Sequence, residues 1–398
     1  MRKVVIIDGV RTPFGRMGGS LREYSSTDLA GMAIKGLLER LDPDRKLSVD
    51  CVFAGSALHD SKSISPARYA AQLAGLPYDV SAAYVEMQCG SAIASMNHAA
   101  WKIIAGEADV VIAGGMESYS QATARFSMAI EPYKLIPPLP LPLLLSPFPE
   151  QAVDMITVSE NMAKKWEIPK QACDEFAYRS QMRAAKAVAS GLIGPEIVPV
   201  IKPATRKTPE VIIREDEQPR PDSTLDGISN LRAVMGGDCV TSAGNASGRN
   251  DGAAFVLMMG EEIAESFGLK PRARWVKGAD VGVEPKYMGI GPVYSNLKAI
   301  RSAGLSIEDI DVFECNEAFA VQNLAVIKEM ETISGKHIDQ EKWNPNGGAI
   351  AFGHPNGASG VRITLFALAQ LEKTGGKYGL ISSCCGGGLG VSTLIESI

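Results

Sequence analysis

Long apolar runs are absent from this 398-residue sequence; none approaches the roughly 20 residues that a membrane-spanning helix needs. The opening "MRKVVIIDGVRTPFG" passes from two basic residues into an apolar stretch too short for a secretory core and without a small-residue cleavage site. It reads as a first β-strand and turn, and the closing "IESI" matches no retention or peroxisomal signal. Excess positive charge is also missing. With a net charge of −5 there is no broad electrostatic footprint for nucleic acid or an anionic membrane, so an anionic ligand must be met by local groups. Cysteine is sparse and odd in number, at positions 51, 89, 173, 239, 315, 384 and 385. No C-x-x-C pair and no cysteine/histidine ladder of zinc spacing occurs, which argues against a disulfide scaffold or a metal site and for reduced thiols in the cytoplasm.

What is present is an internal repeat. A chain of this length exceeds one compact core, so two or more units are expected. "LSVDCVFAGSA" from Leu47 and "LSIEDIDVFECNEAFA" from Leu305 both run from a polar turn through an apolar strand into a small-residue loop. Downstream, "CGSAIASMNHAAWKIIAGEADVVIAGG" from Cys89 and "NGASGVRITLFALAQLEKTGGKYGLISSCCGGG" from Asn356 share the order helix, glycine turn, buried strand, glycines. The spacing between corresponding positions grows along the repeat, and one insertion of about seven residues reconciles the two copies. Two similar α/β units follow. Ala, Gly and Ser fill Ser91 to Ala100 and Gly357 to Gly360, the composition of helices held between sheets. The expected fold is therefore α/β, a duplicated α-β-α-β-α layered arrangement with an inserted loop domain. We divide it as residues 1–118 and 248–270, an N-terminal half; 119–247, the loop domain; and 271–398, a C-terminal half.

Within the insertion, "EPYKLIPPLPLPLLLSPFP" holds seven prolines among leucines and can be neither helix nor central strand. Such an apolar loop should pack over a site or against another subunit. The text that follows has helical spacing, with a cap near Ser159 and an end at Gly191.

Cys89, in "MQCGSA", opens a helix, where free N–H groups and the helix dipole favour a thiolate. A cysteine there is more often a small buried residue, and a lone histidine such as His354 is more often structural. Asn316, in "ECNEAF", can simply bond a turn. The repeat changes the weighing. Asn316, His354 and the pair Cys384/Cys385 fall at the strand ends or before the helix of the second half, and Cys89 falls at the equivalent place in the first. If the halves pack with pseudo-twofold symmetry, a nucleophile, a base and a second thiol share one pocket. Alternation along a strand puts Cys384 and Cys385 on opposite faces and does not say which one faces the pocket.

Taken in order, "VRTPFGRMGG", "CGSA", "IAGGMESYSQA", "AGNASGRNDGAA", "EPKYMGIGP", "CNEAFA", "NGGAIAFGHPNGASG" and "CCGGGLG" resemble the thiolases, the family of acetyl-CoA acetyltransferases and 3-ketoacyl-CoA thiolases, over nearly the whole chain. The resemblance implies a CoA-dependent acyltransferase that condenses acyl-CoA with acetyl-CoA, or cleaves a 3-ketoacyl-CoA, through an acyl-cysteine. It implies Cys89 as nucleophile, His354 as its base, and Cys384, in the C-x-G-G-G register, as a second acid/base thiol of near-neutral pKa. It also implies two oxyanion holes, one of His354 with a water held by Asn316 and one of the N–H groups of Cys89 and Gly386. An aimed donor of this kind is worth roughly 2.7 to 4 kcal/mol of barrier. Coenzyme A is then a co-substrate, with no tightly bound cofactor. Ser247, Met288, Phe319 and Met155 would lie along the pantetheine and acyl path, and Arg220 at the nucleotide end, where an arginine suits phosphate; a solvated Arg220 is the alternative. A homodimer or homotetramer is implied, with acyl-CoA esters as the only partners.

Two departures touch substrate choice. Asp154 stands where the family's His-Met-Gly has histidine and Ile156 where it has glycine, and Leu231 to Met235 lacks the proline and phenylalanine of Leu-x-Pro-x-Phe. Two rival readings are a decarboxylating ketoacyl synthase, which would place a second histidine at "CNEAF", and a catalytically silent CoA-ester-binding subunit, which would lack a reactive group. "GGGLG" lacks the rest of a dinucleotide fingerprint.

Overall fold

A computed structural model describes residues 2–44, 46–58, 63–127, 137–206 and 208–398. Its strands are β1 (Val4–Arg11), β2 (Gly15–Arg16), β3 (Cys51–Gly55), β4 (Ser81–Val85), β5 (Val110–Ser118), β6 (Val200–Lys202), β7 (Val211–Ile213), β8 (Asn250–Gly260), β9 (Ala273–Gly282), β10 (Val312–Cys315), β11 (Tyr378–Cys385) and β12 (Leu389–Ser397). The α-helices are α1 (Ser26–Leu41), α2 (Pro66–Leu73), α3 (Ser91–Ile104), α4 (Met155–Trp166), α5 (Lys170–Ala189), α6 (Leu225–Ser229), α7 (Glu261–Ser266), α8 (Gly291–Ser302), α9 (Ala320–Ser334), α10 (Ala349–Phe352) and α11 (Ser359–Thr374).

Strand pairing runs β10-β11-β12-β9-β1-β8-β5-β3-β4, parallel where a helix crosses over between neighbours and antiparallel elsewhere. The two repeats thus join edge to edge, through Val4, Val5 and Ile6 against Trp275, Arg274 and Ala273.

Side-chain alternation builds the layers. In β5 and β8, Val110, Ile112, Phe255 and Leu257 pack with α1 and α2, while Val111, Ala113, Ala254 and Val256 pack inward on α3. In the second unit, Leu380 and Cys384 of β11 pack with α8 and α9 on the outer side, and Ile381 and Cys385 face inward. The inward cluster takes residues from α3, α11 and both sheet halves, so α3 and α11 form the middle of five layers. Each Val, Ile or Leu buried there contributes about 1.5–3 kcal/mol. The two middle helices approach closely because Gly360 has no side chain; a Cβ there would lie 2.7 Å from Ile93 Cγ1 and 2.8 Å from Ile93 N. That contact brings the N-termini of α3 and α11 together.

Between β5 and β8 the chain carries α4, α5, α6 and the β6–β7 ribbon. The single helix expected from Ser159 to Gly191 is two. α4 begins earlier, because Asp154 accepts from Ile156 N and Thr157 N as a true cap. The Ser159 hydroxyl instead bonds Thr241 Oγ1 at 2.7 Å. α4 stops at Glu167, whose φ of 53° is left-handed, and Pro169 caps α5 since proline cannot sit inside a helix.

The Leu/Pro segment is irregular where described, with one bridge between Phe126 and Pro140. Its first residues, 131–136, lie outside the described ones. Leu145 packs on the β11–β12 turn, 3.3 Å from where a Cβ on Gly386 would stand. Leu139, Leu141, Leu143, Leu144 and Phe148 are exposed.

Candidate active site

The turn ahead of α3 presents Cys89. Gln88 is held at φ 48°, a conformation non-glycine residues rarely adopt and one that gathers at functional sites. Ser91 locks the turn, its Oγ accepting from Met87 N and donating to Gln88 O at 2.7 Å. Cys89 is buried at the helix N-terminus, but it is not a resting thiolate, contrary to the dipole expectation. Burial, then the charge of Glu117, pushes its thiol up to about 12. The N–H groups of Cys89 itself and of Gly386 reach the sulfur and work the other way, without prevailing.

His354 precedes α11, the other middle helix. Its Nδ1 lies 2.7 Å from Ser359 Oγ, and that hydroxyl donates its one proton to Pro355 O at 3.0 Å. Ser359 must therefore accept from Nδ1–H, which leaves Nε2 as the bare nitrogen. Asn316 Nδ2 lies 3.3 Å from Nε2 and donates to it. The carbonyl oxygen of Asn316 is buried without a partner among the described residues. Burial, helped by the charge of Arg362, lowers His354 to about 3, so the ring is neutral and can take a proton.

Asn316 directly follows β10 and Cys384 lies in the neighbouring β11, and Asn316 N donates to Ser382 O at 2.9 Å. Cys384 shares its face with Met288, Cys315 and Phe319, while Cys385 lies against the middle helices and Gly90. Both thiols feel Cys89, and burial pushes both well above the usual value. The near-neutral second thiol is thus corrected: in the dry strand end each is a neutral acid. Gly386 to Gly388 make the hairpin turn, with Gly387 and Gly388 at φ 86° and 87°, where glycine is required. The glycines are a tight turn that also aims the Gly386 N–H at the Cys89 sulfur.

The arrangement of two buried thiols, a neutral imidazole with a bare Nε2, an amide and two aimed N–H groups suits acyl transfer through sulfur. Comparison with known proteins agrees. The family model for the thiolase N-terminal domain matches residues 4–262, and that for the thiolase C-terminal domain matches 269–397. This chain is a member of the thiolase family. A beta-ketoadipyl-CoA thiolase of Escherichia coli is 40% identical over 100% of both chains, and an acetyl-CoA acetyltransferase of Chromobacterium violaceum is 40% identical over 99% of each. The crystal structure of a Bacillus anthracis acetyl-CoA acetyltransferase superposes with a TM-score of 0.91 at 36% identity, covering 100% of this chain and 99% of that one. Human mitochondrial 3-ketoacyl-CoA thiolase in complex with CoA gives 0.89 at 36% identity, covering 100% and 98%. This thiolase is accordingly a CoA-dependent acyltransferase of the thiolysis and condensation type.

In this thiolase Met288 and Phe319 belong to the apolar cluster that buries Cys384, and Met155 packs against it. Ser247 N donates to Ala318 O at 3.0 Å, and Ala246 bridges Phe319, a buried residue that opens α9. Met288 is buried ahead of α8, and Met155 is the first residue of α4, half-buried. Arg220 is set apart. It lines a cavity of about 250 Å³ with Gln181, Ser223, Leu231 and Gly244. Asp154, in the histidine position, spends its carboxylate on the α4 cap and on Thr157 Oγ1 at 2.8 Å. Among the described residues no helix is long and apolar enough to cross a membrane.

Sequence reasoning missed Ser359, Arg362, Glu117 and Tyr119. Ser359 is the first residue of α11, five residues beyond His354, and the intervening turn folds its hydroxyl back onto the ring. Glu117, the acid in the buried run "IAGGMES", accepts from Ser56 Oγ, Ala57 N, Leu58 N and Gly357 N, joining the Cys89 half to the His354 loop. Burial raises it to about 7 despite those donors.

Proposed function

We propose that this thiolase cleaves and forms 3-ketoacyl-CoA esters with Cys89 as the acylated nucleophile. In thiolysis the Cys89 proton passes to His354 Nε2 and the sulfur attacks the keto carbon. The N–H groups of Cys89 and Gly386 hold the oxyanion as the bond between C2 and C3 breaks. The electron pair goes to the departing acetyl-CoA enolate, whose oxygen is met by the new Nε2–H and by a water on Asn316, and Cys384 gives its proton to C2. CoA thiol then yields its proton to the Cys384 thiolate and attacks the acyl group. Cys89 leaves and recovers its proton from His354. The observation that supports this most is the forced tautomer of His354, bare at Nε2 and neutral. The face of Cys384 shared with Met288 and Phe319 supports it over Cys385 as the acid.

Peptide mass spectrometry after incubation with acetyl-CoA tests the reading: acetyl is expected on Cys89, and label elsewhere or none overturns it. In the same assay Cys384→Ala keeps acetylation and loses condensation by at least about 100-fold, while Cys385→Ala keeps both.

Ser247, Met155, Met288 and Phe319 line the pantetheine arm in this reading, with Arg220 at the nucleotide. The two relatives named above differ in the acyl group their names carry, so the names alone do not choose one. All seven cysteines are unpaired, which supports a cytoplasmic location. We take the active form to be a homodimer or homotetramer, on the exposed leucine ridge at residues 139–148.

A further inference from the structure

Asn316 is bracketed by a side chain that the proposed mechanism leaves unused. Asn344 is buried in the loop ahead of α10 with a φ of 44°, in the left-handed region where asparagine is among the few tolerated side chains. Its backbone N–H donates to Phe313 O at 2.8 Å and docks the loop on β10. Its side chain then reaches both neighbours of Asn316. Asn344 Oδ1 accepts from Cys315 N at 2.8 Å, while Nδ2 donates to Cys315 O at 2.9 Å and to Glu317 Oε1 at 3.0 Å. Both amide protons and the amide oxygen are in use.

Glu317 carries the link onward. Its other oxygen accepts from Ser180 Oγ at 2.7 Å and from Ile350 N at 3.2 Å, and Gly348 leaves room for the carboxylate against the start of α10. α10 ends at Phe352, two residues before His354. A chain of bonds from Asn344 through Glu317 to Ile350 thus sets the end of β10, where Asn316 stands, against the helix that delivers His354. His354 has further holders, Asn250 Oδ1 on its N–H at 2.9 Å and Ser359 on its ring. Among the described residues the Asn316 side chain bonds only His354 Nε2, at 3.3 Å, and its oxygen bonds nothing. Its aim therefore depends on the backbone that Asn344 grips.

We infer that Asn344 is a positioning residue for the enolate oxyanion hole: through Cys315 and Glu317 it fixes the chain on both sides of Asn316, and so the place of the Asn316 amide relative to His354 Nε2. The inference rests on the role given to Asn316 above. Such a hole works by holding its donors in place before charge develops, and a shift of about 1 Å can cost about 100-fold in rate.

The test uses acetyl-CoA alone and separates two steps. Acetyl transfer to Cys89 is followed by peptide mass spectrometry, and enolate formation by exchange of the acetyl-CoA methyl hydrogens for deuterium in deuterated water. Asn344→Gly removes the side chain and keeps the backbone, since glycine accepts a positive φ. It is expected to lower exchange by about 10- to 100-fold and acetyl transfer by less than about threefold. Asn316→Ala should lower exchange at least as far, and the double variant should fall no further than Asn316→Ala, because Asn344 acts through Asn316. Glu317→Gln cuts the same link with the backbone intact: its amide oxygen still serves Ser180 and Ile350, while its nitrogen meets Asn344 Nδ2 donor to donor. It should show the same selective loss, and it decides the matter if Asn344→Gly folds poorly. Equal losses of exchange and acetyl transfer in these variants, or losses that multiply in the double variant, overturn the inference and leave the mechanism standing. Wild-type exchange in Asn316→Ala overturns the role given to Asn316, and the inference with it.

Discussion

Cys89 and His354 are both neutral at rest, one pushed up to about 12 and the other down to about 3. The proposed proton transfer between them changes no net protonation, and this has a pH signature. The reactive ion pair forms by moving a proton already present, so alkylation of Cys89 by iodoacetamide should stay level between about pH 6 and 9. In His354→Ala the free thiolate is the only nucleophile left, and its fraction rises with pH below a thiol pKa near 12. The rate should then climb about tenfold per pH unit and lie at least about 100-fold below wild type at pH 7. Rates measured by mass spectrometry across that range decide it; a wild-type rate that climbs with the same slope would mean that His354 takes no part. Ser359 belongs to the same scale, since its single proton sets which nitrogen of His354 is bare.

Elements carry these residues, and α4 shows how one departure from a family pattern is absorbed. Asp154 sits where the thiolases' histidine suggested an altered acyl or pantetheine contact, yet its carboxylate is spent on the first turn of the helix. Those bonds hold it below the usual carboxylate range, the Thr157 N–H first among the causes. Asp154→Ala is therefore expected to cost about 0.5–2 kcal/mol of stability, read as a lower Tm, and Asp154→Ser to restore most of it. A changed substrate preference without a change in Tm would return the residue to the substrate path. The cap was misread in the sequence because Ser159 has a hydroxyl at a helical position, and only the fold shows it turned to Thr241. The break between α4 and α5 was legible at Pro169. The start of α3 was legible from "CGSA", but the thiol's ionisation was not, because burial outweighs the helix terminus and burial is a tertiary property.

At the scale of the whole molecule the repeat was readable because both copies keep the same order of helix, glycine turn and strand. The edge-to-edge join of β1 with β9 was not. It links residues far apart in the chain through three backbone pairs, which leave no periodicity in the sequence. The middle layer was readable from its small residues, and Gly360 against Ile93 gives the reason for them. The Leu/Pro segment was expected to cover a site or meet a subunit, and its residues divide between an inward contact and an exposed row. Leu145 turns in over Gly386, while Leu143 and Leu144 are left 64% and 66% exposed in a row with Leu139, Leu141 and Phe148. A contiguous ridge of that kind exceeds what scattered surface leucines require, and covering it recovers about 25 cal/mol for each Å² removed from water. A second copy of the chain is the covering surface in our reading. Leu143→Glu combined with Leu144→Glu would set charges into that contact, so multi-angle light scattering should find a smaller assembly than the wild type, with Cys89 still accepting acetyl from acetyl-CoA. An unchanged mass would mean that the ridge holds no copies together, and that the loop's only packing is the inward one made by Leu145.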